Sequence, residues 1–142
     1  MPILKQLPSS WAIPLALMVS AVSANLAAEA VDGSKPLLCA TVNASECADR
    51  ADCETRTPEA LRFPQFLSID TGNKTISAER PDGTALNAAI TTVTPLDDRL
   101  VLQGIENGLG WTLSISRATG HMAVAIAGDR IAFTVFGACT AR

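Results

Sequence analysis

The sequence predicts an all-β domain: an antiparallel meander forming a small β-barrel, with a β-sandwich as the alternative. Three observations carry that prediction. Short runs with period-two alternation of apolar and polar residues recur roughly every eight to twelve residues. Turn residues of defined chemistry separate them, among them Pro81-Asp82-Gly83, Asn107-Gly108 and Gly128-Asp129. The cysteines Cys39, Cys47, Cys53 and Cys139 span the distance from the first expected strand to the last. After residue 30 no sustained helical period, repeat or low-complexity tract interrupts the pattern.

Residues 1–30 stand apart from the fold. Lys5 precedes an apolar run from Trp11 to Val22, and small residues follow, Val22-Ser23-Ala24 and then Ala27-Ala28-Glu29-Ala30. A basic start, an apolar middle and A-x-A-like exits describe a secretory signal peptide, with cleavage expected after Ala24, Ala28 or Ala30. The rival is an uncleaved anchor. Against it, the run is short for a span of roughly 20 residues, and it holds Pro14 and serines. Residues 31–142 then make a single β domain, long enough for its own core and small enough to gain from disulfides. The expected address is periplasmic or secreted.

An even cysteine number in an oxidising compartment reads as two disulfides. Zinc would need paired C-x-x-C motifs or neighbouring histidines, and the spacing offers neither. Of the three possible pairings, Cys47–Cys53 with Cys39–Cys139 is preferred. The first closes a short loop. The second ties the first strand to the last, which are neighbours in a barrel.

Taken in order, Leu37 to Val42 is expected as a strand, Ser45 to Asp52 as a polar loop and Cys53 to Thr57 as a short strand. Pro58 to Arg62 reads as a helical turn with proline at its start, ended by Phe63-Pro64. Phe66 to Asp70 and Lys74 to Glu79 form a hairpin around Thr71-Gly72-Asn73. Ala85 to Thr94 is a strand rich in threonine and alanine, and Pro95 to Asp98 turns into the final meander.

The meander carries the most information. Leu100, Leu102, Trp111, Leu113 and Ile115 alternate with smaller or more polar residues around Asn107-Gly108. A type I′ turn needs φ > 0 at both central positions, and Asn-Gly tolerates that best. Such a turn sets Leu102 opposite Leu113, Leu100 opposite Ile115, and Gly104 opposite Trp111, where the glycine leaves room for the indole. In the next hairpin, a type II′ turn at Gly128-Asp129 pairs Ile126 with Ile131, Val124 with Phe133, and Met122 with Val135. Between the hairpins, a three-residue loop with Gly120 in the left-handed region competes with a four-residue loop, Ala118 to His121. The even loop is preferred, setting Val124 opposite Ile115 and Ile126 opposite Leu113, because a one-residue slip would turn the large residues outward.

No catalytic, cofactor-binding or metal-binding residue is assigned. His121, the sole histidine, sits beside a turn glycine and reads as solvated. No G-x-S-x-G elbow accompanies it. Asp97-Asp98 reads as a solvated turn, and Asp70, Glu79 and Asp82 read as hairpin-end residues. Gly104, Gly108 and Gly110 lie inside a hairpin and do not lead into a helix, so they cradle no phosphate. Asn43-Ala44-Ser45 and Asn73-Lys74-Thr75 match the glycosylation sequon. A net charge of −3 with three lysines offers little to a phosphate backbone, so nucleic acid is disfavoured.

The runs Leu102 to Gly108, Trp111 to Ile115, Thr119 to Met122 and Val135 to Thr140, with Leu37 to Ala40 and Phe66 to Asp70, resemble short exported proteobacterial proteins of unknown function. The resemblance covers most of residues 31–142. It implies a periplasmic or secreted address and brings no activity. Small-barrel lysozyme inhibitors use a Ser-Gly-x-x-Tyr loop, and this chain has no tyrosine. Lipocalins carry an early Gly-x-Trp, whereas Gly110-Trp111 is adjacent and late.

The functional expectation is an exported, non-enzymatic β module that binds a protein partner or cell-envelope component through loops at one end. No cofactor is expected, nor stable membrane insertion after signal cleavage. The alternative is a carrier of a small apolar ligand inside the barrel, around Trp111, Leu113 and Phe133. A roomy cavity favours the carrier, and a filled core favours the partner module.

Overall fold

A computed structural model describes residues 30–142. The signal-peptide reading falls outside them, apart from Ala30. The described strands are β1 (Leu37–Ala48), β2 (Glu54–Arg56), β3 (Phe66–Asp70), β4 (Thr75–Glu79), β5 (Ala85–Pro95), β6 (Arg99–Glu106), β7 (Leu109–Ser116), β8 (His121–Ala127) and β9 (Ile131–Ala141), with a 3-10 turn at Glu59–Leu61. From β3 to β9 each strand pairs antiparallel with the next, and β1 pairs with β3 on one side and β9 on the other. Eight strands therefore close into a barrel, and the short β2 joins the far end of β1. Closure removes the exposed edges that an open sheet would leave. The barrel is the preferred architecture of the sequence reading, and the sandwich is set aside.

Inward positions are apolar: Leu37, Ile69, Leu100, Leu102, Leu113 and Ile115 are fully buried. The closing seam is covalent. Cys39 lies directly opposite Cys139 and is bonded to it, and Cys47 is bonded to Cys53. The first bond joins residues 100 apart in sequence. In the chain-entropy account a loop of that length gives about 4–5 kcal/mol.

The two barrel ends differ. At one, residues 31–36 fold across the opening. Val31 belongs to the core, the Thr71 hydroxyl donates to the Gly33 carbonyl, and the Arg142 N–H donates to the Pro36 carbonyl at 2.9 Å. Arg117 meets Asp32 at 3.9 Å at the same end. The other end gathers the turns after β4, β6 and β8 and the segment between β1 and β3.

The β6–β7 hairpin has the expected register, with Gly104 opposite Trp111, Leu102 opposite Leu113 and Leu100 opposite Ile115. Asn107 and Gly108 both have positive φ, 52° and 79°. The next two registers each differ from expectation by two residues. Trp111 pairs with Ile126, Leu113 with Val124 and Ile115 with Met122, so the loop runs from Arg117 to Gly120. In the last hairpin Ile126 pairs with Phe133, Val124 with Val135 and Met122 with Gly137. Its turn is centred on Asp129-Arg130, with Arg130 at φ 67°, and the Gly128 N–H donates to the Ile131 carbonyl. Gly128 serves contact instead: a Cβ there would stand 2.4 Å from Leu109 Cδ2. Both shifts are even, so every large residue keeps its face.

The expected polar loop from Ser45 to Asp52 is corrected in its first half. β1 continues to Ala48, with Ser45 opposite Thr134 and Glu46 opposite Phe133. These residues lie at the open end, where polar side chains reach water. Pairing with β9 therefore decides their conformation, and their own polarity does not.

A candidate ligand cavity at the open end

The packed core stops short of the open end. Above it the inward side chains of several strands leave an apolar cavity of about 320 Å³. Trp111 and Leu113 of β7, Val124 and Ile126 of β8, Phe133 and Val135 of β9, and Ala88 of β5 face it. The size lies near the lower end of small-molecule sites, roughly 300–1,000 Å³.

The mouth is partly covered by the segment between β2 and β3. Thr41, buried on β1, donates its hydroxyl to the Pro64 carbonyl at 2.8 Å, and its N–H donates to the Gln65 carbonyl at 2.9 Å. The 3-10 turn ends at Arg62, which has positive φ and donates its N–H to the Glu59 carbonyl at 3.0 Å. Phe63 then packs its ring edge-on against Phe133, centroids 5.4 Å apart. This contact and the Thr41 bonds pin Leu61, Phe63 and Pro64 over the opening.

Arg62, Arg80, Glu106 and Asn107 complete the lining at the rim. Arg80 donates to the Ala85 carbonyl at 3.2 Å, and Asn107 donates its side-chain amide to Glu106 at 3.2 Å. Among the described residues, neither Arg62 nor Arg80 is within 4 Å of a carboxylate. The Thr84 hydroxyl and N–H, donating to Asp82, hold that carboxyl below the usual aspartate range, and the charges of Arg80 and Arg62 add to the effect.

Inside, Trp111 is 9% exposed, and its Nε1–H is buried with no hydrogen-bond partner. A buried indole N–H ordinarily finds an acceptor, and leaving one unmade costs free energy.

The structure brings Trp111, Leu113 and Phe133 together around one cavity, with Gly104 behind the indole and Asn107 on the rim. His121 and Asp97-Asp98 lie at the opposite end, around a shallow outer depression shared with Ser116. There Asp98 pairs with Arg99 at 2.6 Å, and the Ser116 hydroxyl accepts the Thr119 N–H. The sequence reading missed Leu61, Arg62, Phe63 and Arg80. The available signal was two apolar residues, Leu61 and Phe63, set between Pro58 and Pro64 in a connecting segment. A loop with such anchors folds back onto the barrel.

Among the described residues no group of three or more His, Cys, Asp and Glu side chains is placed to hold a metal ion. No helix among them is long and apolar enough to cross a membrane. The two disulfides suit an oxidising, extracellular environment. Comparisons with protein-family models, curated proteins and solved structures find no match.

Proposed function

We propose that this chain is an exported, non-enzymatic carrier of a small apolar ligand, held in the cavity at the open end of the barrel. One observation carries this reading: the far end is packed and covered by residues 31–36, while the open end is hollow, apolar and bounded by a segment with its own anchors. A module that used the barrel only as a scaffold would gain from filling that space. The arrangement of faces supports a water-soluble carrier. Most large apolar residues of the strands point inward, with Val42, Phe66, Ile105 and Phe136 as exceptions, and Ser77, Asn87, Gln103 and Thr140 are exposed on the outside. A membrane-spanning barrel has the reverse polarity. The disulfides and the expected leader fit a periplasmic or secreted address.

The test is titration of the purified chain with the apolar dye Nile red. Saturable binding of one dye per folded chain, with a blue-shifted emission lost on unfolding, is the expected result. Dye uptake that never saturates, or that persists equally in the unfolded chain, refutes the carrier.

A second reading, the partner-binding module, has a specific observation behind it. Val42, Phe66 and Phe136 are 68%, 52% and 49% exposed, and all flank the outer face at the β1 seam. Phe66 lies opposite Ala40, and Phe136 opposite Asn43. Failure of dye binding would turn attention to this patch.

A further inference from the structure

On the carrier reading, the walls of the cavity set the size of its ligand. The rim chooses no charge. Arg62 and Arg80 stand there with Glu106, and Asp82 lies close enough for both arginines to act on its carboxyl. A ligand group at that level meets both signs and water. Discrimination therefore falls to the apolar part that enters.

Depth is read along β7. Its inward residues Leu109, Trp111 and Leu113 all line the cavity, while the next, Ile115, is fully buried in the packed core. The strand from Leu109 to Leu113, rising about 3.3 Å per residue and tilted about 40° to the barrel axis, gives roughly 10 Å of depth. Carbon–carbon bonds of about 1.5 Å meeting near 111° advance an extended chain by ~1.3 Å per carbon, so that depth holds about eight carbons. Volume gives a second measure. The cavity of about 320 Å³ is roughly twice the size of an apolar cavity, about 150 Å³, that holds benzene, so about a dozen carbons fit.

Ala88 makes much of that room. It has the smallest side chain of the lining, whereas Leu86 and Ile90, the inward residues on either side of it in β5, are large. It is buried and lies opposite Ile76 of β4. A larger side chain at 88 would take its volume from the ligand. We infer that the cavity takes a medium-length aliphatic chain with a ceiling of about ten carbons, and that Ala88 is the residue that sets the ceiling.

The experiment titrates the full chain with the n-alkanols from hexanol to tetradecanol and takes each dissociation constant from the rise in Tm. Displacement of Nile red by decanol checks that alkanol and dye share the cavity. Affinity is expected to rise about fourfold per added CH₂, and to stop rising between octanol and dodecanol. In Ala88→Leu, larger by about three carbons, the break should come earlier by about as many. In the milder Ala88→Val, larger by about two, the shift should be correspondingly smaller. Affinity that climbs unbroken to tetradecanol overturns the ceiling while leaving the carrier standing. A break that stays in place in Ala88→Val overturns the role of Ala88, even if Ala88→Leu does not fold. Alkanols that bind without displacing Nile red lie elsewhere and overturn the inference too. If neither Nile red nor any alkanol binds, the carrier reading fails first and this inference falls with it.

Discussion

Gly104 and Trp111 set the shape of the barrel beneath its mouth. The two lie opposite each other, and the indole occupies the space that a side chain at 104 would need. A Cβ there would stand 2.3 Å from Trp111 Cζ2 and 2.5 Å from the Ala89 carbonyl oxygen. The backbone contact cannot be relieved by a rotamer change. Gly104→Ala should therefore destabilise the fold by about 1–3 kcal/mol through overpacking, seen as a fall of several degrees in Tm. An unchanged Tm would mean that the ring is not held where the structure places it. This pair was legible in the sequence, because Asn107-Gly108 fixes the register and the register fixes who faces the tryptophan. The unpartnered Nε1–H was not legible. Whether a buried donor finds an acceptor depends on neighbours from distant strands, which no local pattern encodes.

Elements were legible to the extent that their turns were. Asn107-Gly108 admits one tight solution, so β6 and β7 pair as read. Around Gly120 and Gly128 several turns are sterically open. The apolar alternation then selected the right face but not the right rung, and both registers moved by two. β1 was read too short because Ser45 and Glu46 look like loop residues, yet the ladder to β9 holds them extended. The turns also carry a pH signature. Asp70, the last residue of β3, accepts the Asn73 backbone N–H at 2.9 Å and its side-chain amide at 2.7 Å, which hold the carboxyl below the usual aspartate range. Asp32, Asp82 and Asp98 are lowered likewise, by Ser34, Thr84 and Arg99 respectively. A lowered pKa in the folded state means that the unfolded chain takes up the proton first. The associated stability is present above the ordinary aspartate pKa of about 4 and is lost as pH falls through the lowered values. Thermal scans should show Tm dropping below about pH 4, with part of the drop missing in Asp70→Asn. Asp82 and Asp98 are exposed and Asp32 and Asp70 only partly buried, so solvent screens each and each share is small. An identical acid profile in Asp70→Asn would deny the turn bonds any such role.

At the scale of the whole molecule, closure was legible and hollowness was not. Cysteines at the first and last strands imply neighbouring ends, and a meander with neighbouring ends is a barrel. An empty interior is a different kind of fact. It is the remainder after the inward volumes of many strands are summed, and it depends on the registers that the sequence left open by two residues. The remainder is what separates a carrier from a scaffold, and Val124 gives access to it. Val124 lies on β8 across from Leu113 and Val135 and faces the cavity. In a filled core, Val124→Phe would overpack and cost about 1–3 kcal/mol. Here the ring has vacant volume to enter and gains contacts that the valine lacks, so Tm should rise by a few degrees, corresponding to about 1 kcal/mol. Nile red binding should disappear in the same variant, because the added ring takes the ligand's place. Stability gained where binding is lost is the expected signature of a site kept open for use. A fall in Tm with dye binding retained would mean that the space is not a site.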